Sequence, residues 1–416
     1  MPTYAEVVEA LKEEVDNDAA TSSRDLLLYV HIPFCSSKCT FCHWVAEIPV
    51  AQLRSGATVR AAYVEAVCEQ IRAYGPVLDQ LGYVPRLLYW GGGTPSILDP
   101  DEITRVADAT ATHCNLEHVT EMSVEASPET LTSAKLRAFR DAGFQRLSIG
   151  VQSFDDRELR TAGRAHDAAQ GESAFRLARE EGFANINLDF IAGFPGQTAE
   201  MLGGSIEKCC ELEPDHVTLY VYNDYGPTVM AKQMKSGKRP SPTRADRGLL
   251  FQQGKALLLD AGYVEYMPLY FARADSFKFV GEEYYFSLQG DHFGFGSGAH
   301  SSLAHHLFVD YRGNLKTYVE HPADLDFGLR YGPDSQTLKL ILKRFSGLDW
   351  IDYDLFQDRF GFAFTEVRED EVIRNWEQWM FRRGAELVET SRGIAVVWPD
   401  GSPSQMSIRG ATAGSR

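Results

Sequence analysis

The sequence contains no apolar run near the roughly 18 residues that a membrane-spanning helix requires. Its N-terminal stretch, residues 1–15, is acidic and amphipathic, and it has neither the basic start nor the apolar centre of a signal peptide. We therefore expect a cytoplasmic protein that has no membrane as a partner.

Basic residues are also scarce. The 41 Lys and Arg residues stand against 58 Asp and Glu residues, which gives a net charge of −17. Proteins that bind nucleic acid neutralise its phosphates with clustered Lys and Arg. The charge balance therefore argues against nucleic acid as a partner, and any basic patch has to be local.

Nothing in the sequence indicates a disulfide framework. The seven cysteines are an odd number, and three of them lie within one short stretch, which fits a reducing compartment. The other four lie in or near helical patterns, where we expect a free thiol to pack as a small apolar group. They are Cys68, Cys114, Cys209 and Cys210.

Apolar strand patterns alternate with helical patterns over the first half of the chain. The strand candidates are residues 26–31, 86–90, 119–125, 146–150, 185–190 and 216–220, with helices between them at about 57–75, 100–113, 129–142, 167–182 and 197–211. Alternation of this kind builds a parallel sheet with right-handed crossovers. Six strands are too few for a closed eight-stranded barrel. The predicted fold class is therefore α/β, an open three-quarter (β/α)6 TIM-like barrel.

The pattern changes after residue 220, where aromatic strand-like stretches and a glycine-rich run are predicted to extend the sheet. Helical patterns return from about residue 330. The Gly- and Ser-rich C-terminal stretch has the composition of a disordered tail. We predict an N-terminal helix and linker (1–24), a partial barrel with its sheet extension (25–310), a C-terminal helical accessory domain (311–399) and a disordered tail (400–416).

Cys35, Cys39 and Cys42 form a C-x3-C-x2-C array directly after the first predicted strand. A zinc site usually draws its ligands from two separated hooks, and His43 follows the last cysteine too closely to reach the same ion easily. Three thiolates from one loop instead suit three irons of a four-iron, four-sulfur cluster, whose fourth iron is open to a small molecule. The C-terminal end of a strand is also where barrel enzymes keep their sites.

The array, with Phe41 just before its last cysteine, resembles that of the radical S-adenosylmethionine (SAM) superfamily. The preceding stretch, residues 29–34, resembles the branch typified by oxygen-independent coproporphyrinogen III oxidase. The resemblance implies a 4Fe–4S cluster held by the three cysteines, with SAM as the second cofactor. The alternative is three cysteines clustered by chance in a reduced protein, and the motifs further along the chain argue against it.

Gly91, Gly92, Gly93 and Thr94 come straight after the second predicted strand. Glycine lets the backbone approach a ligand closely, because no side chain intervenes and positive φ is allowed. Alone, such a run indicates only a turn. In the family that the chain resembles, this stretch contacts the methionyl end of SAM, and we expect the same contact here.

Polar residues occupy the next three predicted strands or their ends: Glu125, Gln152 and Asp189. A charged residue in an apolar strand is costly unless it has a partner, so the alternative of a solvated strand end is weakest for Asp189. The resemblance implies that all three bind the ribose and amino-acid parts of SAM. It also implies that Arg164 binds the carboxylate, for which an Arg fork is suited, and that the Tyr29 hydroxyl lies near the cofactors.

Three activities occur in the branch that the chain resembles: decarboxylation of porphyrinogen propionates, heme trafficking, and methyl or methylene transfer. The oxidase type has another cysteine soon after the array, where this chain has His43 and Trp44. The heme-chaperone type has a His-Asn pair ahead of the glycine-rich run, where residues 281–284 are Gly-Glu-Glu-Tyr. A net charge of −17 also suits a polycarboxylate poorly. We therefore predict a class C radical SAM methyltransferase, or a cyclopropane-forming relative, of natural-product biosynthesis; the oxidase and a heme chaperone are the alternatives.

This resemblance implies two SAM molecules in unlike roles. A deoxyadenosyl radical from the first takes hydrogen from the methyl group of the second, which then adds to an sp2 carbon of a small-molecule or peptide-derived aromatic substrate. An external donor such as flavodoxin or ferredoxin supplies the electron, and the protein supplies binding and orientation. A general base is also needed, and the candidates are Glu282, Glu283, Tyr266 and His43. Aromatic residues between 263 and 286 are predicted to line a flat pocket or to belong to the core.

Overall fold

The computed structural model describes residues 2–17, 24–42, 56–224, 226–281, 291–303, 306–309, 315–325, 327–344, 350–381 and 385–397. Several sequence predictions lie outside these ranges. They concern His43, Trp44, Glu282, Glu283, the strand-like residues 284–286 and the tail from residue 400.

Six parallel strands form the centre of the fold. They are β1 (Asp25–Ile32), β2 (Val84–Gly92), β3 (Glu121–Ala126), β4 (Arg146–Gln152), β5 (Asn185–Ala192) and β6 (His216–Val221). They are paired in chain order, each parallel to the next. The predicted α/β fold, an open TIM-like barrel, is confirmed. Because all six strands run the same way, their C-terminal ends lie at one end of the barrel, and the cysteine loop, the glycine run and Gln152 lie at this end.

Helices follow the strands and cover the sheet. They are α1 (Tyr4–Asn17), α2 (Gly56–Gln80), α3 (Pro100–His113), α4 (Ser133–Asp141), α5 (Asp156–Ala162), α6 (Ala168–Glu180), α7 (Ala199–Leu212), α8 (Val229–Lys235) and α9 (Arg244–Asp260). Most begin at a Thr or Asp whose side chain accepts a hydrogen bond from a backbone N–H of the first turn, as Thr198 does from Met201. Among the described residues, none of these helices has both the length and the apolar character needed to cross a bilayer.

Helix α5 was not predicted from the sequence. It has seven residues, too few for a helical period to be visible. Its ends are nevertheless marked by local chemistry. The Asp155 side chain accepts bonds from the N–H groups of Arg157 and Glu158, and Gly163 ends the helix in the left-handed conformation, with φ of 70°.

The sheet extends beyond the six strands in both directions. On one side β7 (Val264–Met267) and β8 (Tyr270–Ala272) form an antiparallel pair that joins β6; on the other lie β9 (Asp291–Phe295), β10 (His300–Leu303), β11 (His306–Val309) and, after α10 (Leu315–Glu320), β12 (Phe327–Arg330). Strand β9 overlaps the glycine-rich run that was predicted to extend the sheet. It pairs parallel to β1, so it is a seventh parallel strand, and this pairing was not predicted from the sequence.

The C-terminal region has a core of its own, built around Phe356, Phe360 and Trp376. Its elements are α11 (Ser335–Arg344), β13 (Trp350–Asp352), α12 (Tyr353–Phe360), α13 (Phe364–Val367), α14 (Glu371–Phe381), β14 (Glu386–Thr390) and β15 (Gly393–Val397). The domain boundaries at residues 24, 310 and 399 stay predictions. In the main core, Cys68, Cys114 and Cys209 are buried and free, as expected, while Cys210 is half-buried.

Candidate metal centre

The cysteine loop leaves the end of β1 and is held in place by backbone contacts from two later segments. Thr40, between Cys39 and Cys42, donates from its N–H to the carbonyl of Ala162 at 2.8 Å. Its own carbonyl accepts from the N–H of Met230, at the start of α8, at 2.9 Å. The loop is therefore positioned by segments more than 100 residues away in sequence.

Donor groups point at the sulfurs of Cys35 and Cys39. The Thr94 hydroxyl donates to Sγ of Cys35 at 3.4 Å, and Nη1 of Arg164 donates to Sγ of Cys39 at 3.2 Å. Burial raises the pKa of the Cys35 thiol to about 12, against the smaller opposing effect of the Thr94 hydrogen bond. Metal ligation deprotonates such a thiol outright, and the donors then stabilise the thiolates.

The residues present fit an iron–sulfur cluster. All three cysteines are partly exposed and none of them is in a disulfide. The Nε of Arg164 is buried without a hydrogen-bond partner, so it is one more donor available to a ligand. Among the described residues, no three His, Cys, Asp or Glu side chains are close enough to hold a single ion. A cluster does not require that arrangement, because each thiolate binds a different iron.

The glycine run forms a close backbone contact beside the cysteine loop. A Cβ on Gly93 would lie 2.6 Å from the carbonyl oxygen of Phe34, so only glycine lets the end of β2 pack against the start of this loop. Gly92, at φ of 115°, donates its N–H to Oε2 of Glu125 at 3.2 Å, and the Tyr89 hydroxyl donates to the other carboxylate oxygen. The predicted pair of glycine run and Glu125 is thus brought together.

A carboxylate that the sequence reasoning missed, Glu129, lies next to this contact. It accepts hydrogen bonds from the hydroxyls of Ser36 and Ser127, and Oε2 lies 3.3 Å from Nδ1 of His166. Burial by itself would raise the pKa of Glu129, but these bonds and the charge of Arg164 lower it to about 2. Glu129 therefore carries a negative charge beside the cysteine loop.

Three acceptors fix the position of Arg164, and its binding of a carboxylate stays a prediction. Its Nη1 donates to Sγ of Cys39, and its Nη2 donates to Oγ of Ser127 at 2.7 Å and to the carbonyl of Gly150 at 2.6 Å. Gln152, the last residue of β4, has the left-handed backbone conformation, with φ of 68°. A non-glycine residue in this conformation often marks a functional constraint.

Asp189 lies deeper in the barrel. Its carboxylate accepts from the amide of Asn187 at 2.7 Å and from the hydroxyl of Ser148 at 3.1 Å. Burial raises the pKa of Asp189, and these bonds only partly oppose the effect. Ser148 on β4 is the register partner of Glu125 on β3 and donates to Asp189 on β5, so it lies between the strands that hold these two predicted carboxylates.

Two other predicted residues lie at the edges of the centre. Tyr29 shares a hydrogen bond with Nδ1 of His31 at 3.0 Å, and its ring stacks on Tyr89 with centroids 5.8 Å apart. Phe41 packs against Phe194, with centroids 5.4 Å apart, within a cluster of apolar side chains.

Tyr266 lies apart from the cysteine loop, on the antiparallel extension of the sheet. Its hydroxyl bonds to Nε2 of the buried His216 at 2.8 Å and accepts from the N–H of Phe279 at 2.9 Å. Its role as a general base stays a prediction. Of the aromatic run, Tyr263, Tyr270 and Phe271 are buried in the core, which is the second of the two roles expected for them.

The chain is similar in sequence and in structure to several known proteins. The sequence profile of the radical SAM superfamily matches residues 29–209. The heme chaperone HemW of Lactococcus lactis is 31% identical over 66% of this chain and 69% of its own length, and HemW of Haemophilus influenzae is 26% identical over 87% and 95%. The solved structure of coproporphyrinogen III oxidase (HemN) from Escherichia coli is 25% identical, with a TM-score of 0.73 over 97% of this chain and 91% of that one.

These relatives correct the activity predicted from the sequence. They are heme chaperones and a coproporphyrinogen oxidase, so the class C methyltransferase or cyclopropanase is wrong, and the two alternatives fit better. The physical reason is that the cluster and SAM motifs are common to the branch and cannot separate its activities. The choice rested on two short local departures and on the net charge of the chain, which does not report the charge at the site. His43, Trp44 and residues 282–284 lie outside the described residues.

Proposed function

The chain belongs to the radical SAM superfamily, in the branch of the heme chaperones and coproporphyrinogen III oxidases, and on that basis we propose that it binds heme and passes it to other proteins. Membership implies a 4Fe–4S cluster and SAM. When bound, the cluster supplies the electron that cleaves SAM. Cys35, Cys39 and Cys42 are the residues that would hold it, with Thr94 as a donor to the sulfur of Cys35 and Arg164 as a donor to that of Cys39.

The observation that carries the proposal is the extent of the match to the Haemophilus chaperone. The similarity spans 95% of that protein and 87% of this chain, so it includes the C-terminal region as well as the barrel. A shared barrel alone is compatible with many activities, because function depends on the site and not on the fold.

A heme titration followed by visible absorbance tests the proposal. Anaerobically reconstituted protein should bind heme saturably, at about one per chain, and should transfer it to apomyoglobin, whose spectrum reports the arrival. Binding that never saturates, or heme that is never released to the acceptor, would contradict the proposal.

Coproporphyrinogen decarboxylation is the second candidate, favoured by the structural match over nearly the whole of both chains. Incubation with coproporphyrinogen III, SAM and a reductant should then release carbon dioxide together with 5'-deoxyadenosine. The heme chaperone function predicts no carbon dioxide.

The second SAM molecule expected from the sequence stays a prediction. Equilibrium dialysis with labelled SAM measures how many SAM molecules each chain binds.

A further inference from the structure

Helix α8 and the loop after it form the most basic surface stretch of an acidic chain. Residues 226–245 include five Lys and Arg residues and no Asp or Glu, whereas the whole chain has a net charge of −17. Lys232, Lys235 and Lys238 are exposed. The three form what we call the α8 lysine face, and none of them takes part in an ion pair with another described residue.

This segment is bonded directly to the cysteine loop. The N–H of Met230, in the first turn of α8, donates to the carbonyl of Thr40 at 2.9 Å. The carbonyl of Thr161 accepts from the Thr40 hydroxyl at 2.9 Å and from Nη2 of Arg239 at 3.5 Å. A partner on the α8 lysine face would therefore be separated from the cysteine loop by one short helix.

Apolar side chains and a groove lie close to this segment, because Pro240 and Pro242 of the loop after α8 line the groove. Val229, which precedes Met230, is 49% exposed, and Leu249 on α9 is 73% exposed. The groove has a volume of about 450 Å³, and its lining includes Leu249, Phe194 and one acidic side chain, Asp246. The ring of Phe194 also contacts Phe41 of the cysteine loop. An apolar centre with a charged rim is the usual composition of a transient protein interface.

We propose that the α8 lysine face is the docking surface for a small acidic protein that carries single electrons, such as a flavodoxin. The proposal rests on the proposed function only in requiring that the cysteines hold a cluster. In the step itself the donor loses one electron and the cluster gains it, and no bond is formed or broken. Complementary charge raises the rate of encounter between such partners by roughly 10- to 1000-fold at low ionic strength.

Charge reversal of the face tests this in the full chain with its cluster. The variant combines Lys232→Glu, Lys235→Glu and Lys238→Glu, and a second replaces the same residues with Gln, which removes the charge and keeps helix propensity. The matched control combines Lys12→Glu, Lys316→Glu and Lys339→Glu, three exposed lysines on α1, α10 and α11. The control changes the net charge by the same amount.

Two measurements are made on the native chain and on each variant. Carbodiimide cross-linking to oxidised flavodoxin, mapped by mass spectrometry, should join the α8 lysines of the native chain. Stopped-flow reduction by flavodoxin hydroquinone at low salt should slow at least tenfold in the Glu variant and less in the Gln variant. The difference in reduction rate between the native chain and the variants should become smaller at high ionic strength, because salt screens the attraction between the two proteins. Reduction by dithionite, which needs no docking, should stay unchanged.

The proposal is overturned if the Glu variant and the control are reduced by flavodoxin at the same rate, or if cross-links map elsewhere. It is also overturned if the Gln variant loses cluster or heme binding, since the lysines would then serve the fold or the ligand. A native chain that is reduced through α8 and yet binds no heme supports the docking surface and contradicts only the heme chaperone function.

Discussion

The imidazole of His216, at the start of β6, and the hydroxyl of Tyr266, on β7, share a hydrogen bond of 2.8 Å. The other ring nitrogen lies 2.7 Å from Oδ1 of Asn187, whose amide nitrogen donates to Ser148 and Asp189. Because Oδ1 can only accept, Nδ1 carries the proton and Nε2 accepts from the tyrosine. The ring is therefore neutral, and it connects Tyr266 to Asp189 through Asn187.

This arrangement predicts acid-sensitive stability. Burial, with a smaller effect from the positive charge of Arg146, lowers the pKa of His216 well below 6.5. Below about pH 6.5 the unfolded chain binds a proton that the folded chain does not, so the free energy of unfolding falls by up to about 1.4 kcal/mol per pH unit. His216→Gln should flatten this dependence in denaturant unfolding measured between pH 5 and 8. The exposed His118→Gln should keep it, and equal slopes in all three proteins would contradict the assignment.

The cluster ligands are tested by iron content. Replacing Cys35, Cys39 and Cys42 with Ala should leave almost no iron or acid-labile sulfide after anaerobic reconstitution, because the loop is the predicted source of all three thiolates. Cys210→Ala, which removes a half-buried thiol elsewhere, should reconstitute as the native chain does. Four irons per chain in the triple variant would mean that other cysteines hold the cluster.

Asp189 is predicted to bind SAM and not to stabilise the fold. Asp189→Asn keeps the size of the side chain but loses the charge, which should weaken SAM binding by roughly 10- to 100-fold, as expected for a lost hydrogen bond to a charged group. Isothermal titration of reconstituted protein measures it. The control is Glu158→Gln, a buried carboxyl that accepts from Ser153 instead. Unchanged affinity together with a large loss of thermal stability would identify Asp189 as structural.

Gly93 is predicted to be irreplaceable. A Cβ there would lie 2.6 Å from a backbone oxygen that cannot move aside without shifting the cysteine loop, so Gly93→Ala should cost about 1–3 kcal/mol of unfolding free energy and reduce iron uptake. Gly204→Ala, on the exposed face of α7 with open space around it, should instead add about 0.5–1 kcal/mol. Denaturant unfolding compares the two, and equal effects would contradict the steric argument.

Local pattern was sufficient for most of the fold. Alternating apolar runs located β1 to β6 and the helices between them, because burial of one face imposes a period that neighbouring residues share. It failed for the short helix α5, which has too few turns to show a period. It also failed for the parallel pairing of β9 with β1, which joins residues as far apart in sequence as Leu26 and Asp291. The spacing of Cys35, Cys39 and Cys42 likewise indicated the cluster, since ligands from one loop are fixed by local sequence.

The partners of the site residues were decided only by the tertiary structure. Arg164 reaches Cys39 across 125 positions, and Glu129 reaches Ser36 across 93. These pairs depend on strand order and register, which bring distant loops to one side of the sheet and leave no periodic trace in either segment. The sequence by itself determined the superfamily, because its motifs are local. Which charges surround the cluster, and which surface lies against it, followed only from the way the strands are aligned.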